Sequence, residues 1–405
     1  MNLKEKLESI GQSQLLRFES ELSDAQKKAL YEQIESIDFS VLDELKNRGK
    51  GLKRGKITPL EALDLDKINA KKDLYKETGV KALKDGKVGA VLLAGGMGTR
   101  LGSNDPKGMY NVGITRELFI FQCLINNLTD VVKEIGSYIH LFVMTSDLNY
   151  DSTTKFFKEK NYFGYPEEYV HFFKQEMAAC CSYEGKILLE RKDKVAVSPN
   201  GNGGWFLSMI RAGLMDVINK NGIEWLNVFA VDNVLQKICD PVFVGATIIE
   251  KKSIGAKVVR KNAPDEKLGV MCLEDGHPSI VEYYELTDEM RDEVDERGER
   301  VYNFGVILNY LFNVAETEKI VNNSLSYHVV EKKIPYIDEK GNEIKPEEPN
   351  GCKFEQLILD MIYMADTCLP FEVVREKEFA PIKNKTGVDS VESARELLQK
   401  NGVTL

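Results

Sequence analysis

An α/β protein is predicted from three observations: short continuous apolar runs that read as buried strands, helical segments between them, and a glycine-rich turn directly after the first run. The runs VGAVLLA (88–94), IHLFVMTS (139–146) and WLNVFAVD (225–232) alternate with LFIFQCLINNL (118–128) and WFLSMIRAGLMDVI (205–218). Apolar strands separated by helices indicate a sheet covered on both faces, with ligands outside the C-terminal strand ends. GAKVVRK (255–261), LGVMCLED (268–275) and HPSIVEYYE (277–285) follow at closer spacing, as a smaller meander added to that sheet would.

Ahead of this region, residues 1–87 read as a helical N-terminal region. Leu3, Leu7 and Ile10 recur at helical spacing, Leu30, Ile34 and Ile37 make a second stripe, and Ser23 with Gln26 predicts a capping box. The β-rich segment 88–330 is expected to be the central domain. The stretch IDEKGNEIKPEEPNG (337–351) marks a linker or an exposed hairpin. It lies in a small C-terminal domain, 331–405, with a helix from Phe354 to about Asp366, a strand FEVVRE (371–376) and a last helix capped by Asp389 with Glu392.

The 405 residues are 43% apolar and 29% charged, the composition of a folded chain with room for more than one core. A net charge of −10 and a pI near 5.3 argue against a nucleic-acid or anionic-membrane surface as the main partner. A nucleotide ligand therefore requires a local basic cluster. The seven cysteines form no CxxC pair, and the adjacent Cys180 and Cys181 read as apolar fillers, in keeping with a reducing cytoplasm. The start MNLKEKLESIGQ is too polar for a secretory signal, and no run approaches the roughly 18 apolar residues of a membrane span. The four histidines have no ligand spacing.

The strongest chemical signal is LAGGMGTRLGSNDPKGMYNVG (93–113), where glycines let backbone N–H groups approach phosphates without an intervening Cβ. It is not a P-loop, because Lys107 is followed by Gly108 and Met109 rather than by a hydroxyl residue. It is not a dinucleotide fingerprint either, since no acidic residue ends a strand about 20 residues on. It does offer a backbone cradle with two cations, Arg100 and Lys107, a pairing suited to a triphosphate. A second loop, SPNGNGGWF (198–206), precedes an apparent helix whose N-terminus would present N–H donors. In a third, VDNVLQKICDP (231–241), Asp232 ends an apolar strand, where a carboxylate either holds Mg²⁺ between phosphate oxygens or caps the chain.

Together and in this order, the loops resemble the UDP-sugar pyrophosphorylase superfamily, whose GGxGTxLGxxxPKG signature is matched by residues 95–108. The blocks FFKQ (172–175), SPNGNGG (198–204), VDNVL (231–235), VEYYE (281–285), HVVEKKIPYIDEKGNEIKPEEPNGCK (328–353) and REKEFAPIKN (375–384) are similar to the UDP-N-acetylhexosamine branch rather than the UDP-glucose branch. The resemblance covers nearly everything from residue 88 onward. It implies a central GT-A-like, Rossmann-like nucleotidyltransferase domain between the helical region and the C-terminal domain. It further implies Mg²⁺ as cofactor, UTP and N-acetylhexosamine 1-phosphate as substrates, UDP-N-acetylhexosamine as product, and a cytoplasmic enzyme, by default a monomer.

By the same resemblance, Leu93, Ala94, Gly95 and Gly96 meet the nucleotide and Gln175 and Gly201 read the uracil. Asp232 lies near the α-phosphate and metal. Lys353 and Lys383 reach the phosphates from the C-terminal domain, so that closure of that domain is expected to complete the site. Arg100, Lys107 and Lys383 act as catalytic cations. Asn202, Gly269, Glu282, Tyr283 and Asn303 contact the sugar. A non-catalytic UDP-sugar sensor would be expected to lack these cations, and all are present. The chain departs from common family text at Met97, at Asn200 and in NFGVI (303–307), where Phe304 and Val306 adjoin Asn303.

Overall fold

Val88–Leu93 and Leu141–Thr145 are buried along their whole length, and strands without a polar face belong inside a sheet covered on both sides. In the computed structural model, which describes residues 2–48, 54–323 and 325–405, they form part of a ten-stranded mixed sheet. Trp225–Ala230, Val88–Leu93, Leu141–Thr145 and Val170–Lys174 run parallel in that order. On the other side of Trp225–Ala230 the long strand Phe304–Asn313 runs antiparallel. Ile254–Arg260 and Val270–Glu274 both pair with that strand, so the expected meander is part of the main sheet. Helix Ile120–Ile135 buries Phe121, Leu124, Leu128 and Ile135 in the core that also holds Ala90, Leu92, Leu141 and Val143. Each of the larger side chains, Phe121, Leu124, Leu128, Ile135, Leu92, Leu141 and Val143, contributes about 1.5–3 kcal/mol when fully buried.

The chain divides into two compact units, each assembled from separated segments. One comprises the described residues within Met1–Lys53, Gln175–Gly204 and Leu325–Ile358, and the other those within Arg54–Lys174, Trp205–Ser324 and Leu359–Leu405. These units cut across the segments 1–87, 88–330 and 331–405 expected from sequence texture. The reason is non-local packing. Leu7, Leu15, Leu30 and Ile34 share a core with Ile187, Leu189, Val195, Cys352 and Phe354, whereas Tyr75 and Leu83 of helix Lys72–Lys84 are buried in the core of the ten-stranded sheet.

Local signals held to different degrees. Ser23 and Gln26 form the expected reciprocal cap on helix Asp24–Glu35. The last helix, Val391–Lys400, is capped by Ser390 with Ser393 instead of Asp389 with Glu392; Asp389 has a left-handed φ of 53° and its carboxylate bonds Lys383. The helix expected from Phe354 is replaced by a strand, Gly351–Glu355, and a shorter helix, Ile358–Tyr363. Cys352 and Phe354 alternate inward on that strand, which pairs with His328–Lys332. The strand expected at 371–376 runs from Cys368 to Glu372 and lies parallel to Ile254–Arg260 in the main sheet. Of the two readings for 337–351, the hairpin is observed: Tyr336–Ile337 pairs antiparallel with Glu343–Ile344. All seven cysteines are free and buried. Among the described residues no helix is long and apolar enough to cross a membrane.

Candidate active site

Ala230 lies beside Leu93 in parallel register, so the turns after both strands leave the same C-terminal edge of the sheet, where open α/β sheets bind ligands. Leu93 and Ala94 are still held by the sheet: Val231 N–H donates to Leu93 O (3.2 Å) and Ala94 N–H to Met144 O (2.8 Å). The chain then steps out through Gly95 to Gly96, which is exposed. The loop closes on itself through Gly98 N–H to Asp105 O (2.8 Å) and Lys107 N–H to Gly96 O (3.1 Å). Asn149, which no motif pointed to, supports it. This wholly buried amide donates Nδ2 to Ala94 O (2.9 Å) and Gly96 O (3.4 Å), and its Oδ1 accepts from Ser146 N–H (2.8 Å). The available signal was an asparagine four residues past the strand Leu141–Thr145, but its partner is distant in sequence.

The returning loop buries Lys107, whose Nζ lies 3.4 Å from Asp232 Oδ2. Burial lowers the pKa of this ammonium, Asp232 opposes that, and Arg100 and Lys383 are close enough to lower it further. Three cations, Arg100, Lys107 and Lys383, are therefore gathered near the strand ends against two carboxylates, Asp232 and Asp389, leaving a net positive charge that suits a polyanion. Lys383 is delivered there by its neighbours in the chain. Ile382 N–H donates to Asp232 O (2.8 Å), Ala380 N–H to Asn233 Oδ1 (2.9 Å) and Asn233 Nδ2 to Glu378 O (2.7 Å). The Lys383 ammonium lies 3.0 Å from Asp389 Oδ2.

Beneath this pairing, the fully buried Lys257 donates to Glu378 Oε2 (2.5 Å), Lys237 O (3.0 Å) and Asp240 Oδ2 (3.3 Å). A chain of buried amides secures the same loop: Asn227 Nδ2 to Asn309 Oδ1 (2.8 Å), Asn309 Nδ2 to Gln236 Oε1 (3.2 Å) and Gln236 Nε2 to Ala230 O (2.7 Å). Such interior networks, when their groups are paired, rigidify what they hold. None of these supporting residues was singled out in the sequence, because buried amides and lysines follow no spacing rule.

Among the expected sugar-contacting residues, Glu282 is half-buried one position past the strand His277–Val281. Burial raises its carboxyl pKa and Glu285 adds to the shift, while Arg54 and Lys383 oppose it. Glu282 is thus within electrostatic reach of Lys383. A Cβ at Gly269 would lie 3.6 Å from the Glu282 carboxyl, so these two positions adjoin. Asn303 is buried and its Oδ1 accepts from Lys261 N–H (3.2 Å). Tyr283 packs edge-on against Tyr284 with ring centres 5.2 Å apart. The departures beside Asn303 serve the sheet: Phe304 carries the Arg260 guanidinium over its ring at 5.0 Å, and Val306 lies opposite Val258.

The other unit holds the second glycine-rich loop. Gln175 is buried and donates Nε2 to Gly201 O (2.7 Å). Gln356 runs beside the loop: Gly203 N–H donates to its carbonyl (2.8 Å) and its N–H donates to Asn200 O (2.7 Å). Asn202 Oδ1 accepts from Ile358 N–H (3.0 Å), so its side chain is engaged with backbone. The buried Asn200 Oδ1 has no hydrogen-bond partner among the described residues. Lys353 forms an ion pair with Glu355 on the strand Gly351–Glu355. Lys353 and Lys383 belong to different units, not to one C-terminal domain.

The chain matches the family model described as UTP–glucose-1-phosphate uridylyltransferase (UDPGP) over residues 38–404. It is 37% identical over 355 residues to a probable UDP-N-acetylglucosamine pyrophosphorylase of Dictyostelium discoideum, with 83% of this chain and 73% of that protein covered. It is 34% identical over 413 residues to UDP-N-acetylhexosamine pyrophosphorylase-like protein 1 of Mus musculus, covering 96% of this chain and 81% of that one. The crystal structure of the Trypanosoma brucei uridine diphosphate N-acetylglucosamine pyrophosphorylase in complex with inhibitor superposes with a TM-score of 0.82 at 28% identity, covering 98% of this chain and 83% of that one. With the family model matched across most of its length and relatives above 30% identity along nearly all of it, the chain belongs to the UTP–glucose-1-phosphate uridylyltransferase (UDPGP) family.

Proposed function

We propose that this protein is a uridylyltransferase that joins UTP to N-acetylglucosamine 1-phosphate, forming UDP-N-acetylglucosamine and diphosphate. The observation that carries this reading is the cluster of Lys107, Asp232, Arg100 and Lys383 at the ends of two adjacent parallel strands. The choice of amino sugar is supported by the relatives, named for UDP-N-acetylglucosamine or UDP-N-acetylhexosamine.

In this reading an oxygen of the sugar phosphate attacks the α-phosphorus of UTP, the new P–O bond forms, and the bond to the β-phosphate oxygen breaks with its electron pair leaving on diphosphate. No side-chain nucleophile is needed, because the acceptor phosphate is already ionised. The work is to hold two anions together and to stabilise charge as it moves to the leaving group. Lys107 and Arg100 come from the glycine-rich loop and Lys383 from the segment paired with Asp232, and the three would face the phosphates of a bound UTP.

The residues fit a magnesium ion shared with substrate. Among the described residues no group of three or more His, Cys, Asp or Glu could hold a metal alone, and a single carboxylate, Asp232, matches the mode in which one acidic side chain and substrate phosphates complete the coordination. Bound there, Mg²⁺ would neutralise phosphate charge. A cytoplasmic location, supported by the free buried cysteines, completes the reading. The test is Mg²⁺-dependent diphosphate release from UTP with N-acetylglucosamine, N-acetylgalactosamine and glucose 1-phosphates. Preference for an N-acetylated sugar supports the proposal. Preference for glucose 1-phosphate, or UDP-sugar binding without turnover, overturns it.

A further inference from the structure

Arg54 lies outside every motif that points to substrate, yet it organises the turn that presents Glu282. Its Nε and Nη2 engage the two oxygens of Glu285 (3.2 and 2.6 Å), Nη2 also donates to Ile280 O (3.1 Å), and Nη1 donates to Glu274 Oε2 (2.9 Å). Glu285 Oε2 accepts from Glu282 N–H (3.0 Å), and Glu285 N–H returns to Glu282 O (2.9 Å). The result is a bidentate ion pair continued into a closed turn. Side-chain exposure is 24% for Arg54, 18% for Glu285 and 8% for Glu274, so water competes weakly with this fork. Glu285 disfavours the ionised form of Glu282, and Arg54 counteracts it.

Glu282 is the carboxylate through which the proposed activity would recognise sugar hydroxyls and the acetamido N–H, and a site built to bond a polar substrate group discriminates strongly against an analogue that lacks it. The orientation of that one carboxylate therefore matters more than the volume around it. We propose that Arg54 is a positioning residue for sugar selectivity: through Glu285 it holds the main chain of Glu282 in the turn that presents its carboxylate, without itself touching substrate. This inference rests on the uridylyltransferase reading above.

The test is diphosphate release by the full chain and by Arg54→Gln, Arg54→Lys and Glu285→Ala, with UTP and either N-acetylglucosamine or glucose 1-phosphate. In Arg54→Gln the KM for N-acetylglucosamine 1-phosphate is expected to rise about 10-fold, equivalent to about 1.4 kcal/mol, while the KM for UTP stays within about twofold and the preference over glucose 1-phosphate shrinks. Arg54→Lys, which keeps charge but not the fork, should fall between. Glu285→Ala keeps the Arg54–Glu274 pair and removes the link to Glu282, so it should reproduce the sugar effect and decides the matter if Arg54→Gln does not fold. Unchanged sugar KM, or equal losses for UTP and sugar, overturns the inference. Absence of turnover in the unmutated chain would instead overturn the uridylyltransferase reading itself.

Discussion

In the loop 198–204 a Cβ at Gly201 would stand 2.2 Å from the Gln356 carbonyl oxygen, whereas in the loop 93–108 a Cβ at Gly96 would meet nothing within 4 Å. Both stretches read in the sequence as glycine-rich loops, one after a strand and one before an apparent helix. In the first the space is filled by the protein's own backbone, since Gly201 has a φ of +89° and Gln356 runs beside it. In the second the space is open at the ligand edge of the sheet and is flanked by buried Lys107. A missing Cβ thus admits a neighbouring chain in one loop and solvent or ligand in the other. Only the first should matter for folding.

The largest expected effect follows at Gly201. Gly201→Ala forces an L-residue into the left-handed region and onto a carbonyl, together about 2–5 kcal/mol. Urea unfolding should show that loss, and a variant within 0.5 kcal/mol of the parent, taken here as roughly the neutral range, would remove the distinction between the loops. Next comes the charge beside the open loop. Lys107→Ala and Lys383→Ala each remove a charged hydrogen bond of about 1.5–3 kcal/mol, roughly a 10- to 150-fold loss in kcat/KM. Near-normal kinetics in both would mean that the open loop does not face phosphates.

Gly96→Ala sharpens the contrast by its sign. Gly96 is not among the glycines with positive φ, so the substitution should leave stability unchanged or raise it by up to about 1 kcal/mol. At the same time it should lower kcat/KM by obstructing close approach of the nucleotide. A destabilised but fully active Gly96→Ala would contradict both halves.

The smallest effect is in the pH profile. Burial lowers the Lys107 pKa below the lysine value of 10.5, so activity should decline as pH rises through that lowered value. Stability should move oppositely. The unfolded chain keeps its lysine proton to higher pH than the folded one, so the penalty of burying this charge is fully present below the folded pKa and is relieved as pH rises towards the unfolded value. Lys107→Arg retains its proton throughout and should flatten the alkaline limb of kcat/KM. An unchanged limb would assign that titration to another group.

Much of the candidate site was legible because the residues proposed to hold phosphate lie in local motifs. Glycines after a strand, Lys107 closing their loop and Asp232 just past the strand Trp225–Ala230 all lie within short segments, and parallel pairing of the two strands brings them to one edge. The supports were not legible. Asn149 serves a loop more than 50 residues away, and Lys257 serves Glu378 from 121 residues away. Neither sits in a pattern that distinguishes it from an ordinary polar residue.

The amino-acid sequence by itself determined the α/β class, the strand positions in the first half of the main sheet, the Ser23 cap and the family, because continuous apolar runs, capping pairs and loop motifs are local. Tertiary structure alone decided that 351–355 is a strand, that Lys353 and Lys383 fall in different units, and that Gly201 accommodates Gln356 while Gly96 accommodates nothing of the protein. Those outcomes depend on which distant segment arrives alongside, and burial against a partner outweighs the local preference of the residues buried.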